Sequence, residues 1–241
     1  MKVIDVSKHQ GRIDWNKVKH TDVEGVVIRA GYGKGHVDEQ FYYNIEEVLK
    51  YEFPHIGVYW FSYAYTIGMA RNEAEKINEM VKGYKDKLDL GVYFDWEYDS
   101  MKYLRQNNGI PTKSLITGMN IAFCRMITDL GYKAGYYVNE DYQKNWINTD
   151  LLTEYRKWYA RYSSKAKPVN SYLYQYSSTG RVDGIKEKVD LNKLLAPLTV
   201  LEVAKEVLAG KWGNGATRKN KLESAGYDYR AVQNKVNELL K

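Results

Sequence analysis

The chain has 241 residues, 44% of them hydrophobic, and a formal net charge of +6. This length fits one large domain, or one domain with a small appendage. The single cysteine excludes an internal disulfide and a thiolate metal cluster, the basic residues form no dense run typical of a nucleic-acid-binding arm, and no apolar stretch reaches the length of a membrane span.

Short runs rich in β-branched and aromatic residues predict eight strands. These runs cover residues 3–6, 25–30, 56–63, 91–95, 134–138, 158–162, 172–176 and 189–191. Apolar residues at helical spacing predict helices over 40–51, 69–83 and 114–130, the last ending near Gly131. Strands interleaved with helices predict an α/β fold, a closed (β/α) TIM-like barrel. The later connections are too short for a full helix each, so we expect the barrel to be irregular.

After Pro197 the pattern becomes helical. Helices are predicted over 200–209, 217–225 and 230–240, with Asp228 as the N-cap of the last. The sequence therefore predicts two domains, a barrel of residues 1–196 and a small three-helix C-terminal module of residues 198–241. The hinge between them is predicted near residues 196–199.

Four acidic residues lie at or near the predicted strand ends, where barrels collect their reactive groups. Asp5 closes the first strand, Asp190 falls in the last, and Asp95 and Glu97 flank Trp96 at the end of the fourth. Alternate side chains of a strand share a face, so Asp95 and Glu97 are predicted to project the same way, about 7 Å apart at the backbone.

Repulsion between two close carboxylates, in an aromatic and poorly solvated surround, raises the pKa of one of them. The result is a protonated donor beside a charged carboxylate, which is the pairing that cleavage of a glycosidic bond requires. Two readings without catalysis remain open. The acids could be surface groups at a strand end, and Arg29 could form an ion pair with one of them.

Six motifs, in order, resemble glycoside hydrolase family 25, the muramidases of phages, bacteria and fungi. They are Val-Ile-Asp-Val-Ser-Lys-His-Gln-Gly (3–11), Val-Ile-Arg-Ala-Gly (27–31), Gly-Val-Tyr-Trp-Phe-Ser-Tyr-Ala (57–64), Phe-Asp-Trp-Glu (94–97), Gln-Tyr-Ser-Ser-Thr-Gly (175–180) and Val-Asp-Leu-Asn (189–192). The tail, from Val-Leu-Ala-Gly-Lys-Trp-Gly-Asn-Gly (207–215) through Gly-Tyr-Asp-Tyr (226–229), is similar to a short cell-wall-binding repeat.

The resemblance implies an enzyme, a lysozyme that hydrolyses the β-1,4 bond between N-acetylmuramic acid and N-acetylglucosamine. It implies Glu97 as the general acid and Asp95 as the residue that stabilises charge developing on the sugar. Asp5 and Asp190 would tune this pair or contact the sugar, and a nucleophilic role for Asp190 stays open. The favoured route has the substrate's own N-acetyl oxygen attack the anomeric carbon. No cofactor and no metal are implied.

The resemblance also implies residues that contact the substrate, although packing in the core or at the rim remains an alternative for each. In the barrel these are Arg29, Tyr59, Tyr63, Tyr137, Trp158 and Gln175. In the C-terminal module the predicted wall contacts are Lys211, Trp212, Asn214 and Arg218. For Trp212 the alternative is that it fills the core of the small helical bundle.

The predicted partner is bacterial peptidoglycan, without nucleic acid binding or membrane insertion, and the oligomeric state is left open. Two other functions compete: a catalytically silent wall-binding lectin on a hydrolase scaffold, and a wall amidase or peptidase, against which the missing metal motif argues. The chain starts with an apparent strand and lacks a signal-peptide pattern. We therefore expect a phage-endolysin-like route, from the host cytoplasm to the wall.

Overall fold

A computed structural model describes residues 1–162, 171–195, 199–225 and 227–240. Its described residues form nine strands: β1 (Lys2–Val6), β2 (Val23–Tyr32), β3 (His36–Val37), β4 (His55–Phe61), β5 (Gly91–Asp95), β6 (Ala134–Asn139), β7 (Arg156–Ala160), β8 (Leu173–Gly180) and β9 (Val189–Leu194). Eight of them match the predicted strands. The two-residue strand β3 is too short to leave a pattern in the sequence.

The strands form one closed sheet. Its order is β1-β9-β8-β7-β6-β5-β4-β2-β3, and a further pairing of β1 with β2 closes the barrel. Neighbouring strands from β1 through β2 and β4 to β8 run parallel, whereas β9 is antiparallel to both β8 and β1. The prediction of an irregular α/β barrel is confirmed, and the irregularity is this reversed closing strand.

Six α-helices accompany the barrel: α1 (Trp15–Lys19), α2 (Phe41–Lys50), α3 (Ile67–Val81), α4 (Tyr98–Gln106), α5 (Lys113–Asp129) and α6 (Glu140–Asn145). Short 3₁₀ helices occur at Lys8–Gln10, Lys82–Lys87 and Thr149–Leu152. The sequence predicted α2, α3 and α5, whose amphipathic repeats are long, and missed the shorter α1, α4 and α6. Thr66 and Thr112 begin α3 and α5 by accepting backbone N–H bonds.

Two layers of buried side chains hold the barrel together. The larger lies between the sheet and the surrounding helices, with Trp60, Phe94 and Phe123 among its fully buried members. The smaller fills the barrel interior and is dominated by aromatic rings, including Tyr93 and Trp158. Because these side chains pack the interior, we expect a ligand on this axis to bind at the mouth.

The C-terminal residues form three further helices: α7 (Val200–Leu208), α8 (Gly215–Ser224) and α9 (Tyr229–Leu239). Thr199 and Glu202 form a capping box at the start of α7, and Asp228 caps α9 as predicted. The helices share a small apolar core, and Lys235 of α9 forms an ion pair with Glu154 beside the barrel. The predicted domain boundary at 196–198 lies outside the described residues. Across the described ranges, no helix is long and apolar enough to cross a bilayer.

Candidate active site

The four predicted acids lie together at one mouth of the barrel. Asp5 is in β1, Asp95 ends β5, Glu97 is the N-cap residue of α4, and Asp190 is the second residue of β9. All four line one cavity of about 350 Å³. Five of the six predicted sugar contacts line the same cavity: Arg29, Tyr59, Tyr137, Trp158 and Gln175.

Asp190 reaches this mouth by a route that the sequence did not indicate. It pairs directly with Asp5 in the antiparallel ladder between β9 and β1. Because β9 runs against the other strands, its beginning, not its carboxyl end, lies at the mouth. The rule that places reactive groups at the carboxyl ends of strands therefore holds for Asp5 and Asp95 and not for Asp190.

Asp5 and Asp190 form a hydrogen-bonded acid pair. The Oδ2 atom of Asp5 also accepts hydrogen bonds from Nδ2 of Asn192 at 2.7 Å and from Nε2 of Gln175 at 2.9 Å. Burial, followed by repulsion from Asp190, raises the pKa of Asp5 well above its usual value. Burial also raises the pKa of Asp190, although its hydrogen bond with Asp5 lowers that pKa in part.

Asp95 and Glu97 form the second half of the cluster. β5 ends at Asp95, but Glu97 keeps an extended backbone (φ −143°, ψ −152°). The alternation of side chains between the two faces of the strand therefore continues as far as Glu97. Burial first, then repulsion from Glu97 and Asp5, raises the pKa of Asp95 well above its usual value, and its Oδ1 atom has no hydrogen-bond partner among the described residues. Burial first, then the charges of Asp190 and Asp99, raises the pKa of Glu97 to about 7.

The guanidinium of Arg29 forms an ion pair with a carboxylate outside the group of four acids. Its Nε atom donates to Oδ2 of Asp38 at 2.7 Å, and both side chains are buried. The same Asp38 oxygen accepts the backbone N–H of Lys8. No ion pair joins a described cation to any of the four acids. The alternative in which Arg29 neutralises one of them by direct pairing is therefore wrong, although its charge lowers the pKa of Asp95 from a distance.

Three aromatic side chains form the floor of the cavity. The Trp158 ring packs edge-on against Tyr59 at 5.6 Å and Tyr137 at 5.1 Å between ring centroids, and its Nε1 atom donates to Oδ1 of Asn192. Trp158 is 1% exposed, and Tyr59 and Tyr137 are each 8% exposed. These rings thus offer edges and a hydroxyl to a ligand, while their faces are used in packing.

Two predicted sugar contacts have other partners in the structure. Tyr63 does not line the cavity, because it turns outward to pack on Phe61 and Tyr103. Gln175 lines the cavity, but its amide is already bonded: Nε2 donates to Asp5, and Oε1 accepts from the hydroxyls of Tyr137 and Tyr162. Gln175 therefore orders the acids and tyrosines around it.

The sequence analysis did not predict the residues that form hydrogen bonds to the polar side chains of the site, namely Asp38, Tyr162 and Asn192. Asn192 bonds to both Asp5 and Trp158. It lies two positions after Asp190 on β9, so the alternation argument used for Asp95 and Glu97 would have found it. Asp38 follows a short hairpin, and Tyr162 follows the end of a strand. Neither position belongs to a periodic pattern of apolar residues in the sequence.

A second, more open cleft of about 450 Å³ adjoins the cavity and shares Glu97, Tyr137 and Tyr162 with it. Its far wall is formed by Glu140 and Arg161, which are joined by an ion pair at 3.2 Å. Glu97 thus lies where the two clefts meet, and a chain-like molecule that fills both would pass it. A larger cavity of about 590 Å³, between residues 149–157 and helices α7 and α9, is lined by none of the four acids.

The four predicted wall-contact residues lie near the loop between α7 and α8. Trp212 is partly buried, with its ring edge-on to Tyr227 and its Nε1 atom donating to Glu206, which also pairs with Lys211. The Arg218 guanidinium bonds to the Gly213 carbonyl, to Asn214 and to Gln233. The alternative in which Trp212 packs on the core of the bundle is what the structure shows, and Arg218 ties the loop to the helices.

Comparison with known proteins agrees with this arrangement. The profile described as glycosyl hydrolases family 25 matches residues 4–185, and the CW_7 repeat profile matches residues 202–240. The lysozyme of Streptococcus phage Cp-7 is 26% identical over 98% of this chain and 69% of its own length. The autolytic lysozyme of Clostridium acetobutylicum is 26% identical over 100% of this chain and 66% of its own length.

The modular autolysin LytC from Streptococcus pneumoniae, solved in complex with a synthetic peptidoglycan ligand, has a similar structure. Its TM-score is 0.69 at 27% identity, over 79% of this chain and 46% of that chain. This chain thus spans about two thirds of its curated relatives and less than half of the autolysin. Because the family profile covers most of the barrel, including Asp5, Asp95 and Glu97 and ending shortly before Asp190, the chain belongs to glycosyl hydrolases family 25.

Proposed function

We propose that this chain is a peptidoglycan hydrolase, a lysozyme that cleaves the β-1,4 bond between N-acetylmuramic acid and N-acetylglucosamine. The observation that carries the proposal is the cluster of four carboxyl groups, two buried and two half-buried, that pair with no cation among the described residues and lie at the mouth of a family 25 barrel. Such a cluster retains protons near neutral pH, and a carboxyl group that retains its proton can donate it to a leaving oxygen.

Glu97 is the proposed general acid. Its raised pKa of about 7 keeps a large fraction of the carboxyl protonated at neutral pH, and it lies where the two clefts meet. The proton passes from Glu97 to the glycosidic oxygen as the bond between that oxygen and the anomeric carbon breaks. Water that later attacks the anomeric carbon returns a proton to Glu97.

The proposed nucleophile is the substrate's own N-acetyl oxygen, which forms a bicyclic, oxazoline-like intermediate when it attacks the anomeric carbon. Asp95 adjoins Glu97 and lines the cavity, so its carboxyl group is placed to accept the N–H of the acetamido group as positive charge develops there. The negative charge of Asp190 helps to hold the proton on Glu97, and Asp5 and Asp190 both raise the pKa of Asp95. A direct attack by Asp190 would instead require it to be ionised and free of Asp5.

The two adjoining clefts are the proposed binding groove for the glycan strand. Arg29, Tyr59, Tyr137 and Trp158 surround the acids, and we propose that the Tyr137 and Tyr59 edges limit how deeply a sugar ring enters. Gln175 acts in this scheme through Asp5 and the two tyrosines. Tyr63, which lies outside the cavity, has no proposed sugar contact.

We further propose that residues 1–196 form the catalytic domain and residues 198–241 a wall-binding module. The CW_7 match over 202–240 supports the second assignment, since repeats of this kind belong to cell-wall hydrolases. Lys211, Trp212, Asn214 and Arg218 shape the loop that would contact the wall. A single module binds with modest affinity, because such modules gain strength through multivalency. The site of action is accordingly the bacterial wall.

The test is Glu97→Gln, which keeps the size of the side chain and removes its acid. On purified bacterial walls, the wild-type protein should release new reducing ends, and the variant should bind the walls without releasing them. The exposed Glu24, changed to Gln, is the matched control and should keep wild-type activity. Full activity in Glu97→Gln would refute the assignment. A wild-type protein that binds walls but releases nothing would indicate a lectin, and one that releases amines would indicate an amidase or peptidase.

A further inference from the structure

Outside the acid cluster, one buried carboxyl group has no counter-ion. Glu73 lies on the inner face of α3, is 3% exposed, and forms no ion pair with a described residue. Its Oε1 atom accepts the backbone N–H of Tyr63 at 3.1 Å, and its Oε2 atom has no hydrogen-bond partner among the described residues. Burying an unpaired carboxyl group costs free energy that an apolar side chain of similar size would not. Such a costly feature is typical of a group retained for function.

The turn that Glu73 contacts is the one that follows β4. The Ser62 hydroxyl and the Trp60 indole face the Glu73 carboxyl, and the Ser62 hydroxyl in turn accepts the backbone N–H of Ala64. Glu73 thus fixes residues 62–64 from the side facing the helices. No other side chain reaches the Tyr63 N–H among the described hydrogen bonds.

The same turn holds the segment that carries the acids. The Ser62 N–H donates to the Asp95 carbonyl at 2.7 Å, and the Trp96 indole donates to the Ala64 carbonyl at 2.8 Å. The Ser100 hydroxyl donates to the Ser62 carbonyl at 2.6 Å and accepts the backbone N–H of Glu97 at 3.1 Å. Three hydrogen bonds therefore join the turn to residues 95–100, and the last of them continues to Glu97 itself.

We propose that Glu73 is a positioning residue that holds Glu97 in the cavity through the turn after β4 and the Ser100 hydroxyl. This inference rests on the proposed function, because it assigns a role in placing the general acid. A path of packed, hydrogen-bonded groups runs from α3 to the N-terminus of α4, and its links are buried or partly buried. Small displacements of a catalytic group lower the rate strongly, so a rigid support of this kind matters for the reaction.

The expected signature is a change in how Glu97 titrates. Burial is the first cause of its raised pKa, so a Glu97 freed to move toward water should have a lower pKa. The ionisable groups around it would remain in place: Asp95 on β5, Asp99 on α4, Asp190 on β9, and the tyrosines Tyr98, Tyr137, Tyr142 and Tyr162. Glu73 itself faces only Trp60, Ser62 and the Tyr63 backbone.

The experiment compares Glu73→Met, which removes the hydrogen-bond acceptor, with Glu73→Gln, which keeps an acceptor oxygen and the shape of the side chain. In the Met variant we expect kcat to fall about tenfold or more with KM little changed, and the alkaline limb of the pH–rate profile to move down by about one pH unit. Glu73→Gln should restore both toward wild type. Glu75→Met, on the exposed face of the same helix, is the matched control and should change neither.

Ser100→Ala breaks the path at its other end and should reproduce the changes seen in Glu73→Met. If Glu73→Met does not fold, Ser100→Ala tests the proposal in its place. A lower melting temperature with wild-type kcat and an unmoved alkaline limb, in either variant, would overturn the proposal, because a purely structural role predicts that result. The Glu97 carboxyl titration, followed by NMR and assigned with Glu97→Gln, separates the two hypotheses. If the wild type releases no reducing ends, the proposed function fails, whereas an unchanged Glu97 titration refutes only the positioning role.

Discussion

Changing Asp190 to Asn should lower the pKa of Glu97 and leave its acid function intact. The rise in the pKa of Glu97 from 4.5 to about 7 corresponds to about 3 kcal/mol of disfavoured ionisation. Burial is the largest cause, and repulsion from Asp190 comes second, before that from Asp99. We expect Asp190 to account for about one pH unit, since its charge has the larger of the two charge effects that add to a still larger effect of burial. Asparagine keeps the size of the side chain and can still donate a hydrogen bond to Asp5.

The assay is the release of reducing ends from purified walls between pH 4 and pH 9. A carboxyl group with a pKa of about 7 is about half protonated at pH 7, and one with a pKa of about 6 is about one tenth protonated. Asp190→Asn should therefore be about fivefold slower than wild type at pH 7 and equal to it below pH 5. Asp183→Asn removes the same charge from an exposed position just before β9 and should leave the profile unchanged.

Two results would refute this reasoning. The first is an alkaline limb of the pH–rate profile that does not move in Asp190→Asn, or that moves equally far in Asp183→Asn. Either outcome would show that Asp190 does not set the proton affinity of Glu97. Loss of activity at every pH, including pH 5, would show that Asp190 takes part directly, as a nucleophile or a sugar contact. In that case the Glu97 titration, read by NMR, would report the electrostatic effect separately.

Two further predictions concern stability and wall binding. Burial raises the pKa of Glu73 to about 8, so the stabilisation from its protonated form is complete below pH 4.5 and is lost as the pH rises through 8. The contribution of Glu73 to the free energy of unfolding should fall by at most about 5 kcal/mol across this range, so urea unfolding should show a smaller pH-dependent fall in Glu73→Gln than in wild type and the wild-type fall in Glu75→Gln. Arg218→Ala should weaken wall binding about tenfold by releasing the loop between α7 and α8, whereas Lys219→Ala, which removes the same charge from an exposed neighbour, should not. Equal binding by the two variants in a wall sedimentation assay would contradict a role for this loop.

The sequence was sufficient to predict the barrel, because its strands are buried on both faces and read as separate apolar runs. It was also sufficient to bring Asp5, Asp95 and Glu97 to one end, through strand order and side-chain alternation. It did not predict that β9 is antiparallel, since a single short strand carries no directional signal. Short helices such as α4 were missed for a similar reason, because fewer than three turns give little periodicity.

The internal partners of the site were the hardest features to predict. Arg29 was predicted to contact sugar, with an ion pair to one of the four acids as the alternative; it lines their cavity, but its ion-pair partner is Asp38, which follows a two-residue strand. Gln175 was expected to contact sugar, but its amide is bonded within the protein. Both outcomes depend on which polar groups meet after folding, and hydrogen-bond partners distant in the chain leave no local pattern.

The way in which β8 meets β9 explains how the last acid arrives on the correct side. From Gln175 to Gly180, β8 advances five residues while β9 advances three, from Asn192 to Val189, so β8 carries two extra residues as bulges. In a strand, a slip of one residue turns every side chain to the opposite face. The bulges accommodate the two extra residues within β8. The register of β9 against β1 is therefore unchanged. A family member could thus lengthen or shorten this hairpin during evolution and still deliver its final carboxylate to the reaction centre.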